Sequence, residues 1–292
     1  MDKTNISKVK VASSMFIFGT IGIFVRYIPL PSSVIAMMRA FIGTLMLLGF
    51  MLLGKGKMDF SAIKKNFVRL AASSIMMAIN WILLFEAYRY TTVATATLCY
   101  YMSPIILVAL SPMIFKEKLS AKKLVCILTA LLGMVFVSGV IDGGGIKLSE
   151  MKGIIMGLLA ACFYAAVVIT NKTIKGIPSF DRTIMQLAIA AIVMLPYNAV
   201  TGSLSAMELG GIVLPMLLIV GIVHTGLAYW MYFGSMEYLK SQTLAILSYV
   251  DPVVAVLLSA LLLKEPMGIL SIIGAVLILG AAVVSEMPEK DK

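Results

Sequence analysis

Ten apolar runs of about 20 residues, parted only by short polar loops, fix the solvent in which this chain folds. The runs cover 9–28, 32–53, 67–88, 93–115, 121–141, 152–172, 182–201, 210–235, 242–263 and 267–285. Each is long enough to cross a hydrocarbon core about 30 Å thick, where only a helix or a closed barrel satisfies every backbone group. The sequence therefore predicts an all-α integral membrane protein of ten transmembrane helices. Of its 292 residues 61% are hydrophobic and 13% charged, against about 25% charged in soluble domains. The longest loop, 54–66, is too short for a soluble domain. Cys99, Cys126 and Cys162 lie inside apolar runs without metal-ligand spacing and read as buried free thiols. The first run lacks a small-residue cleavage site and reads as a span that stays.

The formal charge of +10 is set by topology rather than by a nucleic acid, because the basic residues fall in short clusters between apolar runs. Positive loops are retained in the cytoplasm. With the N-terminus inside, the inner segments hold 18 Lys and Arg and the outer loops 5, namely Arg26, Arg89, Lys147, Lys152 and Lys264. The bias places both termini on the cytoplasmic side of a plasma-membrane protein.

A shift of 148 residues aligns Tyr101-Met-Ser-Pro104 with Tyr249-Val-Asp-Pro252, and Lys116-Glu117 with Lys264-Glu265. The same shift pairs Ser111 with Ser259, Tyr90 with Tyr238 and Thr95 with Thr243. The chain thus reads as two five-helix repeats, 1–145 and 146–292. Five is odd, so the second repeat enters the membrane from the opposite face. Inverted halves can open a shared central site first to one side and then to the other. A static bundle or a passive channel is the alternative use of the same duplication.

These residues resemble a known family. The segment 221–239, GIVHTGLAYWMYFGSMEYL, with Asp251-Pro252 and Lys264-Glu265, looks like the second repeat of EamA-like members of the drug/metabolite transporter superfamily. Phe85-Glu-Ala-Tyr-Arg-Tyr90, Ser103-Pro104 and Lys116-Glu117 look like its first. The resemblance implies a secondary carrier of small metabolites, often an exporter, with its cavity built from spans one to four and six to nine.

Candidate ligand residues are polar or aromatic groups deep in the spans. Asp251 lies near the bilayer centre, where an ionised acid costs about 2.5 to 3.5 kcal/mol; it reads as a ligand for an amine or a proton, or as an acid that locks the halves together. His224, the single histidine, suits a proton step or a substrate hydrogen bond, or a bond to a neighbouring carbonyl. Asn80 and Trp81 in span three, and Tyr229 in span eight, form polar and aromatic sectors fit to line a cavity. Tyr88, Tyr90 and Tyr238 read as interfacial belt residues. Arg39 needs an acid or carbonyl partner, with Glu86 favoured over a substrate carboxylate. Tyr100, Tyr101 and Ser103 precede Pro104, and Tyr249 precedes Asp251-Pro252, so phenols stand beside two points where helices can unwind. Arg89 and Glu237 read as end caps or gate ion pairs, and Gly153 and Gly157 as sites of close helix packing.

The reading is a carrier, not an enzyme, that moves a small amphipathic metabolite by alternating access. An amino acid suits an Asp, an Arg and an aromatic wall. A passive channel or facilitator is the alternative, and an intramembrane enzyme the remoter one, since no HExxH or nucleophile-base pair occurs. Neither cofactor nor metal is expected. The expected partners are the small-molecule substrate, lipid and protons as a coupling ion, in a monomer or a homodimer.

Overall fold

A computed structural model describes residues 3–54, 56–115, 120–137, 148–236, 238–239, 247–265 and 267–287. Among them every regular element is helical: α1 (Lys3–Arg26), α2 (Ser32–Leu53), α3 (Phe60–Lys65), α4 (Phe67–Tyr90), α5 (Val93–Tyr100), α6 (Ser103–Phe115), α7 (Ala121–Val137), α8 (Leu148–Thr173), α9 (Ser179–Val200), α10 (Val213–Gly221), a π-helical turn (Ile222–Leu227), α11 (Ala228–Met236), α12 (Val250–Leu261) and α13 (Ile269–Glu286). Six described segments are long and apolar enough to cross a membrane, namely α1, α2, α4, most of α8 and of α9, and the run Val213–Ser235. The others are shorter or interrupted.

Two of the expected spans are broken near their centres. Between α5 and α6 the chain turns at Tyr101 and Met102, and α12 begins after the equivalent turn at Tyr249. Pro104 and Pro252 fall in the first turn of the following helix, where a missing N–H costs nothing because those donors have no intrahelical partner. The prolines therefore start a half-helix rather than free a carbonyl in the middle of one. The loop 54–66 also departs from expectation, since it folds as α3, with the Asp59 carboxylate capping Ala62 N at 3.0 Å.

Helix pairing follows an exchange of halves. α4 packs on α8, and the equivalent pair is α1 against α10, the π turn and α11. α6 on α8 is matched by α12 on α1, whereas α2 with α9 and α7 with α13 pair across the relation itself. Glycine sets the closest approaches: a Cβ on Gly133 would lie 2.7 Å from Gly274 O, and one on Gly274 2.5 Å from Gly133 O. Gly153 against Thr91 and Gly157 against Cys99 serve α8 in the same way, as the sequence suggests. Cys99 and Cys126 are buried, but Cys162 is exposed on α8, which corrects the expectation of three buried thiols; an outward face of an apolar helix suits a thiol equally well. Lys116, Glu117, Lys147, Glu237, Thr243 and the 145/146 boundary lie outside the described residues, and nothing is described of the Ser111 side chain.

Gly19 brings α1 against the start of α12, where an added Cβ would lie 2.5 Å from Asp251 O and 2.7 Å from Val254 Cβ. Gly19→Ala is expected to destabilise the purified protein by about 1 to 3 kcal/mol, read as a lower melting temperature. Gly49→Ala, where nothing lies within 4 Å, is the control. Equal melting of the two variants would disprove the tight approach.

Candidate functional site

The centre of the bundle is built around a widened turn. In the π segment two side chains reach carbonyls five residues back: Thr225 Oγ1 donates to Val220 O at 3.0 Å, and His224 Nδ1 lies 3.3 Å from Ile219 O. A π turn frees such carbonyls from the ordinary helical ladder and often marks functional positions. Gly221 and Gly226 allow the turn to press on α2, for a Cβ on either would lie 2.5 Å from the Cβ of Ile42 or Met46.

That approach positions Arg39. Its side chain is 4% exposed, and its Nε donates to Thr225 Oγ1 at 3.1 Å. The guanidinium lies over the Trp81 ring at 4.3 Å and the Phe85 ring at 5.5 Å, contacts that partly offset the cost of burying a cation. Its expected pairing with Glu86 is not observed. Glu86 instead pairs with Arg89 at 3.7 Å and accepts from Ser32 Oγ at 2.6 Å, because Arg89, three residues on, presents its charge on the same helix face. Among the described residues no carboxylate forms an ion pair with Arg39.

Asp251 lies in the first turn of α12, where the helix N-terminus favours negative charge. The Tyr101 hydroxyl lies 3.5 Å from Ser248 O, three residues before Asp251. Tyr101 and Tyr249, equivalent in the two repeats, face each other with ring centroids 6.2 Å apart. Tyr88, Tyr100 and Tyr229 are in electrostatic reach of both Arg39 and Asp251. Tyr100 also meets Tyr164 edge to face at 5.5 Å, and Tyr229 meets Phe18 at 5.2 Å. Tyr88 is 3% exposed and stacks on Phe85, so it is a core residue and not part of an interfacial belt. Tyr238 is exposed, and Tyr90 accepts a hydrogen bond from Lys152 Nζ at 2.8 Å.

Other candidates are held by the protein. His224 is buried and shares a 2.8 Å hydrogen bond between its Nε2 and Thr20 Oγ1, while Phe24 stands edge-on to its ring at 4.8 Å. Asn80 Nδ2 donates to Ala160 O at 2.6 Å, which ties α4 to α8, and its Oδ1 is buried without a partner. Ser103 is buried at the start of α6. The structure thus gathers Arg39 with Trp81, and Asp251 with Tyr101 and Tyr249, whereas His224 and Asn80 face helix neighbours. Thr225, Thr20 and Tyr164 were not singled out from sequence; for Thr225 the signal was its place beside His224 between Gly221 and Gly226. No group of three or more His, Cys, Asp or Glu able to hold a metal occurs among the described residues.

Apolar helices thus enclose a polar and aromatic centre, and the known proteins that the chain resembles make it a membrane transporter of the drug/metabolite type. The chain belongs to the EamA-like transporter family, whose two repeats match residues 9–139 and 151–287. It is 30% identical over 253 residues to the uncharacterized transporter YxxF of Bacillus subtilis, covering 86% of this chain and 79% of that one. It is 26% identical to an uncharacterized transporter of Archaeoglobus fulgidus over 94% of each. The uncharacterized inner membrane transporter YicL of Salmonella typhimurium is 24% identical, over 99% of this chain and 98% of its own. A protein of known crystal structure, 17% identical, shares the fold with a TM-score of 0.67 over 96% of both chains.

Thr225→Val keeps the side-chain shape but leaves the buried Arg39 Nε–H without its acceptor. A loss of about 1.5 to 3 kcal/mol is expected for a hydrogen bond to a charged group, measured by thermal melting. Thr225→Ser should restore it. If Val melts like wild type, the Arg39 contact has no energetic weight.

Proposed function

We propose that this transporter is a secondary carrier of an amino acid, aromatic by preference, working by alternating access across the plasma membrane. The observation that carries the reading is the buried Arg39, without a carboxylate partner among the described residues, joined by a tyrosine wall to Asp251 at the start of a broken helix. A substrate carboxylate would complete the Arg39 site, with Thr225 and Trp81 holding the guanidinium in place. The substrate amine would meet Asp251, and its side chain would lie among Tyr88, Tyr100 and Tyr229. A zwitterion neutralises the buried Arg39 and the half-buried Asp251 at once, which gives binding a driving force that a neutral metabolite lacks.

The reading includes ten spans in two inverted repeats, 1–145 and 146–292, with both termini cytoplasmic. It is supported by a cluster of contacts at one end of the bundle. There Arg26, at the end of α1, pairs with Glu265 at 3.4 Å and donates to the carbonyls of Tyr88 and Thr91. Glu265 Oε2 also accepts from Val93 N at 2.9 Å and from Ser259 Oγ. Both charges belong to loops that the charge bias assigns to the outside, so in this conformation the latch closes the outer end. Export is the direction that the family resemblance favours, and protons are the proposed coupling ion.

Counterflow in proteoliposomes tests the carrier. External unlabelled aromatic amino acid should drive uptake of labelled substrate that saturates; flux without saturation or counterflow would indicate a channel. For the site, removing the substrate carboxylate, as in a phenethylamine, should weaken binding to wild type about 10- to 100-fold. Arg39→Gln should abolish that difference, because the two changes delete one interaction. Full additivity would sink the Arg39 assignment. Glu265→Gln should loosen the latch and raise reactivity of a cysteine placed at Tyr101 toward an external, membrane-impermeant thiol reagent; unchanged reactivity would remove Glu265 from gating.

A further inference from the structure

Away from the central site, a cavity of about 980 Å³ opens where α4 begins and α8 ends, lined by Lys65, Asn66, Val68, Arg69, Lys172, Thr173 and Lys175. Four of its seven lining residues are cationic and none is acidic. Among the described residues no carboxylate forms an ion pair with Lys65, Arg69 or Lys175. The field inside is strengthened by the start of α4. Asn66 is its N-cap residue, yet its side chain makes no capping bond and instead donates to Ala62 O at 2.9 Å and Lys175 O at 3.1 Å. No acid occupies the first turn of α4, so the positive end of a 24-residue helix faces the same space.

The cavity has a fixed floor. Ser73 Oγ donates to Asn171 Oδ1 at 2.9 Å, and Gln186 Nε2 donates to Ser73 Oγ at 2.6 Å and to Asn171 Oδ1 at 2.8 Å. Behind it Ile63, Leu70, Ile174, Ile177 and Ile189 form a small core of their own. This polar plug ties α4, α8 and α9 together one turn along α4 from Arg69. The rim is apolar on the outer side, with Phe67 and Val68 exposed.

We propose that this cavity is a binding site for the phosphate of an anionic phospholipid of the adjacent leaflet, with the acyl chains lying against Phe67 and Val68. The depth fits, because the site stands at the ends of two apolar spans, at headgroup level. Basic pockets between membrane helices recognise lipid headgroups in this way. A free phosphate ion shares the recognised chemistry, but it would leave the apolar rim unused. The bound lipid would clamp the loop that holds α3 to the end of α8.

The test uses the purified full-length protein in neutral detergent at fixed ionic strength, read by thermal shift and native mass spectrometry. The probes are dioctanoyl-phosphatidylglycerol, dioctanoyl-phosphatidylcholine, glycerol 3-phosphate and inorganic phosphate. Phosphatidylglycerol should stabilise saturably, and phosphatidylcholine should not. The double variant Lys65→Gln/Lys175→Gln should weaken the phosphatidylglycerol effect about 30-fold, from about 1 kcal/mol per cation near a charged surface. Both side chains are exposed, and the bond to Asn66 uses the Lys175 backbone, so the lipid-free melting temperature should hold. Should the double variant misfold, Lys175→Gln alone should weaken binding about fivefold. The control Lys8→Gln/Lys64→Gln removes two cations outside the cavity and should leave binding unchanged. Equal stabilisation by phosphatidylcholine, or equal weakening in the control, overturns the site. Equal stabilisation by the two soluble phosphates overturns the lipid as its occupant.

Discussion

The constraint on which this structure depends is that hydrocarbon offers no partner for a peptide group. Every departure from the regular helix must therefore be covered by protein or open onto water. The observed departures follow that rule. The turns at Tyr101–Met102 and at Tyr249 lie beside each other where α5 meets α12, and the π turn at 222–227 is pressed between α1 and α2. None is left on a lone helix. The places where the backbone becomes available to a ligand are thus the places where the repeats meet.

The same constraint governs charge. A guanidinium buried without an anion is costly, and Arg39 is tolerated because three weak supports converge on it: the Thr225 hydroxyl, the face of Trp81 and the face of Phe85. Each is neutral. A carboxylate in their place would hold the cation permanently and close the site to a ligand. Where α1 ends the opposite choice is made, and Arg26 and Glu265 are spent on each other. The fold pairs the charges that hold helix ends together and leaves the central ones open.

Much of this was legible in the sequence, because apolar run length and the 148-residue shift report directly on spans and repeats. The turns before Pro104 and Pro252 were legible for a related reason, since proline removes a donor and marks where a helix can begin. Side-chain partners were not. Pairing Glu86 with Arg39 assumed that burial of a cation implies an acid, but Arg89 was nearer on the same helix face. Tyr88 read as an interfacial residue from its position along the helix, yet its direction around the helix turns it onto Phe85. The π turn left no trace that periodicity could detect, and with it went the role of Thr225.

Symmetry of scaffold and asymmetry of site then fit together. Under the 148-residue shift Arg39 corresponds to Leu187, Thr225 to Met77, His224 to Met76 and Asp251 to Ser103. Arg39, His224 and Asp251 therefore each exist in one copy, whereas the contacts that set helix positions, such as α4 on α8 and α1 on the π turn, occur in both halves. A scaffold of nearly equivalent halves can interchange two conformations of similar energy, since each half can adopt the other's arrangement. Identical sites in both halves would suit a ligand that is itself symmetric. In the proposed site one cation and one acid would instead fix a polarity across the centre, which a small molecule whose two ends carry opposite charge would match in a single orientation.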